Sequence, residues 1–315
     1  MRKHSKKIGF VIVALVFALM SLGSGSSDTD TKEITLSDNV SSGDNNVDQS
    51  DNSDTKEDSN TNNSSDSSED ITIEEQVLID ENGLKVTATE YVTDIIGGDS
   101  IKLLIENDSD SSIGIGCDAL IVNDFMIDNL FSSTVASGKK SNEELNLLTS
   151  ELEAAGIENV GKIELYFHTF DPDTYMTSDK FDCVTIETSA YDKMDTTADD
   201  SGQELYNDNG VRIVGKYVDE NSIWGTAVLL YIENNSGKNV IVQCDDMSIN
   251  GFMVTPYFSC TVYDGKKAVD DITILSSDLE DNGITSVDDI ELVFKVLDEN
   301  FSTIDQSDPI SFSAH

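Results

Sequence analysis

Apolar and polar residues alternate along GLKVTATEYV (83–92) and again along GVRIVGKYV (210–218), each directly behind an Asn-Gly pair. Period-two alternation predicts half-buried strands, and Asn-Gly supplies the left-handed residues that a tight hairpin turn needs. Apolar runs that stop at polar turns follow: SIKLLIEN (100–107) and TAVLLYIEN (226–234), then SIGIGCDALIV (112–122) and NVIVQCDDMSI (239–249). LFSSTVASGKK (130–140) and YFSCTVYDGKK (257–267) each end in a Gly turn. KIELYFHTF (162–170) and DIELVFKVL (289–297) come next, and FDCVTIET (181–188) and DPISFSA (308–314) close the two series. Short strands at regular spacing with turns between them predict a β-sandwich. Alternation puts Ile113, Ile115 and Cys117 on one face, and Val240, Val242 and Cys244 on the matching one.

These segments come in pairs. AGIENVGKIELYFHTFD begins at Ala155 and NGITSVDDIELVFKVLD at Asn282, an offset of 127 residues. The same offset relates Asn82-Gly83 to Asn209-Gly210, Cys117-Asp118 to Cys244-Asp245 and Phe125-Met126 to Phe252-Met253. It also relates Lys139-Lys140 to Lys266-Lys267. One fixed offset of this length means a duplicated unit of domain size. The expected organisation is a leader over 1–23, an acidic stalk over 24–70, a first sandwich over 71–188, a polar linker over 189–203 and a second sandwich over 204–315.

One short helix interrupts each series. In SSDLEDNGI, Ser276 or Ser277 is the expected N-cap, Asp278 and Glu280 suit the positive helix start, and Gly283 is the expected left-handed stop with Ile284 folding back on Leu279. TSELEAAGI repeats this with Ser150, Leu152, Gly156 and Ile157.

The N-terminus changes the picture from a globular chain to an exported one. Arg2, Lys3, Lys6 and Lys7 precede an apolar run from Ile8 to Leu22, followed by small residues, which is the layout of a secretory signal peptide. Its alternative is an uncleaved anchor. SLGS resembles a lipobox, but Ser24 stands where the lipidated Cys would be, so no lipid link is expected. Residues 24–70 carry 13 acidic and 2 basic residues and no aromatic residue, a composition that cannot bury enough apolar surface to fold. The whole chain has a formal net charge of −42. That field repels nucleic acid and anionic lipid, leaving basic partners, divalent cations or bare solvation as readings. No membrane contact is expected of the mature form unless the leader is retained.

Candidate chemistry is sparse. Asp278, Glu280, Asn282, Gly283 and Asp289 imitate the alternate oxygen ligands and sixth-position Gly of a calcium loop. The last ligand is Asp rather than Glu, the apolar residue falls early at Ile284, and the first unit has Ala155 and Lys162 at matching positions; the capped helix explains both copies. No metal and no cofactor are therefore expected. Cys117, Cys183, Cys244 and Cys260 are either buried free thiols or include one disulfide, for which Cys244–Cys260 is the candidate; Ser133 replaces the second Cys in the first unit. Of His4, His168 and His315, only His168 falls within a strand, where it is expected to be solvated, so Ser or Cys nucleophiles lack their usual base. No catalytic residues are assigned. Lys139, Lys140, Lys266 and Lys267 are candidate contacts for an anionic polymer or protein, or simply guard strand edges. Trp224, Tyr231, Tyr257 and Tyr263 could form an aromatic platform in the second unit alone.

The run NGVRIV…LLYIENNSGKNVIVQCDDMSINGFMV…DGKKAVDDITILSSDLEDNGI…IELVF resembles the immunoglobulin-like domains of unknown function in exported, often lipidated proteins of Gram-positive gut Clostridia, whose strand layout is similar to the mycobacterial immunoprotective extracellular antigen. The resemblance implies two tandem immunoglobulin-like sandwiches at the cell surface or outside it, and it implies no catalytic residues. The expectation is an all-β, non-enzymatic, monomeric envelope or extracellular binding or presentation protein of unknown ligand. The alternatives are an enzyme or enzyme inhibitor with an unrecognised loop site, and a structural spacer.

Overall fold

The computed structural model describes residues 70–94 and 98–313. The leader and nearly all of the stalk lie outside the described residues, as do His4 and His315. The described chain is an all-β structure with two short helices.

The first half contributes β1 (Gln76–Glu81), β2 (Leu84–Asp94), β3 (Gly98–Asn107), β4 (Ile113–Val122), β5 (Phe125–Ile127), β6 (Ser132–Val135) and β7 (Lys139–Leu147). Helix α1 (Thr149–Ala154), β8 (Lys162–Phe170), β9 (Thr177–Lys180) and β10 (Val184–Glu187) complete it. One sheet runs β1-β2-β3-β7; the facing one runs β10-β8-β4-β5, with β6 and β9 at its margins. The alternation read from the sequence sets the faces: Ile101, Leu103 and Ile105 of β3 meet Ile163, Leu165 and Phe167 of β8 in one buried cluster.

The second half repeats the plan with β11 (Gln203–Asp208), β12 (Val211–Ser222), β13 (Gly225–Asn234), β14 (Val240–Ile249), β15 (Phe252–Met253), β16 (Ser259–Val262) and β17 (Lys266–Leu275). Helix α2 (Ser276–Asp281), β18 (Asp289–Leu297), β19 (Thr303–Gln306) and β20 (Ile310–Ser313) follow. The 127-residue offset holds at the level of register. Leu84 pairs with Asn107 and Asn107 with Lys139; Val211 pairs with Asn234 and Asn234 with Lys266.

Two repeated details explain the shared lettering of the halves. Asn107 and Asn234 are fully buried. Asn107 Nδ2 donates to the carbonyls of Ser111 and Val135, both at 2.8 Å, and its Oδ1 accepts from Ser109 N at 3.0 Å. Asn234 does the same to Lys238, Val262 and Ser236. One side chain thus closes the β3–β4 turn and pins it to β6. The helix stops behave as expected: Gly156 and Gly283 have φ of 73° and 67°. Ile157 N reaches Leu152 O and Ile284 N reaches Leu279 O, at 2.8 and 2.9 Å, the six-to-one bond of a Schellman stop.

The helix starts differ from expectation. Leu275, not Ser276 or Ser277, is the N-cap of α2, with no side-chain cap bond, and Leu148 plays that part for α1. For α2 the reason is a tertiary contact: Ser276 N and Oγ both point to Trp224 O in the neighbouring hairpin, which takes the hydroxyl away from the helix.

The linker segment is strapped to its surroundings. Thr196 O accepts from Lys267 Nζ, Asp200 pairs with Arg212 at 2.8 Å, and Ala198 packs on the first core.

Candidate functional site

Strand β5 continues the first half's sheet into the second half by pairing in parallel with β17, Phe125 opposite Lys267. Lys267 N donates to Asp124 O at 3.0 Å, and Lys267 Nζ lies 5.3 Å above the Phe125 ring. Around this pairing the halves share side chains. Val214 and Tyr231 of the second half belong to the first core, and Met126 packs on the second. Tyr166 and Tyr263 meet edge to face at 4.8 Å.

The polar part of the seam is ordered by charge. Lys266 Nζ lies 2.9 Å from Asp124 Oδ1 and 2.5 Å from Glu164 Oε2, while Lys162 Nζ lies 2.8 and 3.2 Å from the same two groups. Burial opposes the Asp124 charge, yet hydrogen bonds from Lys162 and Lys266 hold its carboxyl below the usual range. A second cluster carries no cation. Glu151 of α1 is 6% exposed. Its Oε2 accepts from Asp128 N at 2.6 Å, whereas its Oε1 is buried without a hydrogen-bond partner. Burial, then Asp128 and Asp270, push the Glu151 carboxyl up to about 8. Burial, then Asp128 and Asp271, push Asp270 up to about 7. Glu151 so placed keeps its proton at neutral pH, and Asp270 is held near its midpoint there.

The counterpart of the Glu151 contact recurs in the second half, where Asp278 Oδ2 accepts from Thr255 N at 3.1 Å. The residues that imitate a calcium loop have other roles or lie exposed. Asp278 holds the backbone after β15, Asn282 Nδ2 bonds the carbonyl of Asp278, and Glu280 and Asp289 are exposed. Among the described residues no three His, Cys, Asp or Glu side chains are arranged to hold a metal ion.

The four cysteines are free thiols. Cys244 and Cys260 do lie on neighbouring strands, but the register sets Val242 opposite Cys260 and Phe294 opposite Cys244, so the candidate disulfide is not formed. His168 is half-buried rather than solvated, with Nδ1 2.7 Å from Asp118 Oδ1. The lysine pairs have different fates. Lys266 and Lys267 are consumed by the seam, Lys140 pairs with Glu106, and Lys139 is exposed.

The aromatic platform is dispersed: Tyr263 and Tyr231 belong to the seam, Tyr257 bridges to Thr273, and Trp224 stands apart at a hairpin tip. What surrounds Trp224 is the surface that sequence reasoning missed. Trp224 O accepts from Ser276 N, Glu220 accepts from Val287 N, and Asn250 bonds Ser286, Asp288 and Asp289. The β12–β13 hairpin, the start of α2, the β14–β15 turn and the entry to β18 are thereby tied into one end. It presents Ile223, Trp224, Phe252 and Met253, which are 64, 54, 50 and 62% exposed. Phe125, the first-half equivalent of Phe252, is 1% exposed because β17 covers it. The signal was available in the repeat, since Phe-Met is kept in both units.

No family model and no curated protein matches this chain. Among solved structures, a YadV chaperone aligns at 8% identity and a TM-score of 0.22, covering 66% of this chain and 90% of that one. The Salmonella enterica SafA pilin in complex with the SafB chaperone aligns at 12% identity and 0.21, covering 73% and 95%. A protein of unknown function from Porphyromonas gingivalis aligns at 11% identity and 0.20, covering 73% and 97%.

Proposed function

We propose that this chain is an exported, non-enzymatic protein that binds or presents at the cell envelope or outside the cell, built from two tandem immunoglobulin-like sandwiches. The observation that carries this reading is the apolar end of the second half. Ile223, Trp224, Phe252 and Met253 are each exposed at this one end of a strongly acidic chain, and large apolar side chains left in water at one end mark contact sites. The test is retention of an envelope extract on the immobilised chain at low and high salt, with Trp224→Ala and Met253→Asp as controls. Retention that survives high salt and falls at least tenfold in both variants supports binding through this end. Retention lost at high salt, or untouched by the variants, removes the reading.

One observation favours an enzyme instead. Glu151 and Asp270 are carboxyls raised by burial and by neighbouring carboxylates, a pattern shared with catalytic acids. Their position inside a packed seam, with Glu151 Oε2 already bonded to Asp128 N, favours a structural role.

A further inference from the structure

The seam between the halves has two unlike sides. One is the β5 end of the first half, bearing Phe125, Met126 and Glu164; the other is the outer edge of β17, bearing Lys266 and Lys267. Each side exists a second time. The 127-residue offset carries Phe125-Met126 onto Phe252-Met253 and Glu164 onto Glu291. It carries Lys266-Lys267 back onto Lys139-Lys140. These second copies take no part in the seam, Lys140 pairing with Glu106 within its own half. Phe252 and Met253 are exposed, Lys139 and Lys140 are exposed, and among the described residues no strand pairs with the outer edge of β7.

We propose that the β15 end of one copy docks on the β7 edge of a second copy, repeating between chains the contact that joins the halves within a chain. The proposal rests on the binding reading above and names the partner of that surface as this chain itself. By equivalence, Phe252 lies opposite Lys140 and Lys140 N donates to Gly251 O. One lysine–carboxylate opposition of the seam is retained. Lys266 finds Asp124 and Glu164 in the seam. Lys139 finds Glu291, which replaces Glu164, and Asp289, which replaces Lys162 and adds the carboxylate that Gly251 removes from the Asp124 position. An interface with unlike sides is heterologous. Each pair leaves one β15 end and one β7 edge free, so assembly runs head to tail.

The first-half edge is the more polar of the two. Asn142, Leu104 and Ala136 replace Val269, Tyr231 and Tyr263 of the seam. Less apolar area is buried and the tyrosine edge contact is absent, so the contact between chains is weaker than the one within and depends on high local concentration.

The experiment is sedimentation velocity on the full chain from about 10 µM to about 1 mM, the range in which weak interfaces form. Wild-type mass is expected to rise steadily with concentration without stopping at a dimer. A head variant, Phe252→Asp with Met253→Asp, and a tail variant, Lys139→Glu with Lys140→Glu, are each expected to remain monomeric. Mixed, they are expected to give a one-to-one dimer and nothing larger, because one working head meets one working tail. Gly251→Asp, which restores the Asp124 carboxylate, is expected to lower the concentration for half-assembly severalfold. Circular dichroism matching wild type shows that the variants, all at exposed positions, remain folded. A wild type monomeric throughout, a mass that saturates at a dimer, or a mixture that stays monomeric overturns the proposal. A monomeric wild type that still retains envelope material through Trp224 and Met253 overturns self-assembly while leaving the binding reading intact.

Discussion

Replacing Glu151 by Gln tests how the seam responds to pH. The folded chain holds the Glu151 proton up to about 8, whereas the unfolded carboxyl releases it near its ordinary value. Between those limits the folded state binds more protons than the unfolded one, so stability falls as pH rises. The contribution is fully present below about pH 4.5 and is lost progressively up to about pH 8. A tenfold change in proton affinity corresponds to about 1.4 kcal/mol, so the loss has a ceiling of about 5 kcal/mol; water entry and relaxation around a seam lower it to about 2 kcal/mol. Asp270, raised to about 7, acts in the same direction, and Asp128, Asp271 and the Cys260 thiol complete the groups that face the cluster. Gln keeps an oxygen for Asp128 N and offers an amide to the neighbouring carboxyls. The E151Q variant should therefore gain about 2 kcal/mol over wild type at pH 8 and nothing at pH 4.5. The chain's net charge of −42 also destabilises it as pH rises, so the diagnostic quantity is the difference between variant and wild type in urea unfolding across pH 4.5–8. A difference that is constant with pH, or a variant less stable than wild type at pH 8, would falsify the buried-proton account.

Other perturbations probe separate features. Asn107→Ala and Asn234→Ala each strand one buried carbonyl, of Val135 or Val262, and remove two further turn bonds, and each should cost about 1–3 kcal/mol in urea unfolding, by similar amounts in the two halves. Gly225 has φ of 149°, and a Cβ there would sit 2.2 Å from Ile274 O, so Gly225→Ala should lower stability by more than about 2 kcal/mol and shift the thermal midpoint downward. Lys266→Ala leaves Asp124 and Glu164 facing Lys162 alone, and should split a single unfolding transition into two, read by calorimetry. Burial pushes the Cys117 and Cys244 thiols up to about 12 and Cys260 well above its ordinary value, so alkylation at pH 8 should label half-buried Cys183 first and the other three only on unfolding.

Much of the fold was legible because it rests on local rules. Alternation gave the strand faces, Gly156 and Gly283 gave the helix stops, and the 127-residue offset gave the doubled plan. The helix starts were misread because the Ser276 hydroxyl is claimed by Trp224 O, a group 52 residues away. The fate of the lysines was illegible for a related reason. Gly138-Lys139-Lys140 and Gly265-Lys266-Lys267 have the same letters and the same turn, and only the docking of the first half onto the second separates them. Nothing in TSELEAAGI separates Glu151, which is buried, from Glu153, which is exposed; the Asp128 and Asp270 that face Glu151 lie 23 residues before it and 119 after it. Exposure of Phe252 could have been anticipated, since a repeated seam must leave one side uncovered at each end of any finite array.

The β5–β17 pairing also sets a timetable. Phe125 leaves the ribosome 142 residues before Lys267, the residue that covers it. At ordinary synthesis rates the gap lasts on the order of ten seconds. During that interval the nascent first half displays the same Phe-Met end that the finished protein shows at Phe252 and Met253. The early half-molecule is thus a stickier object than the completed one, and the arrival of β17 hides its apolar end.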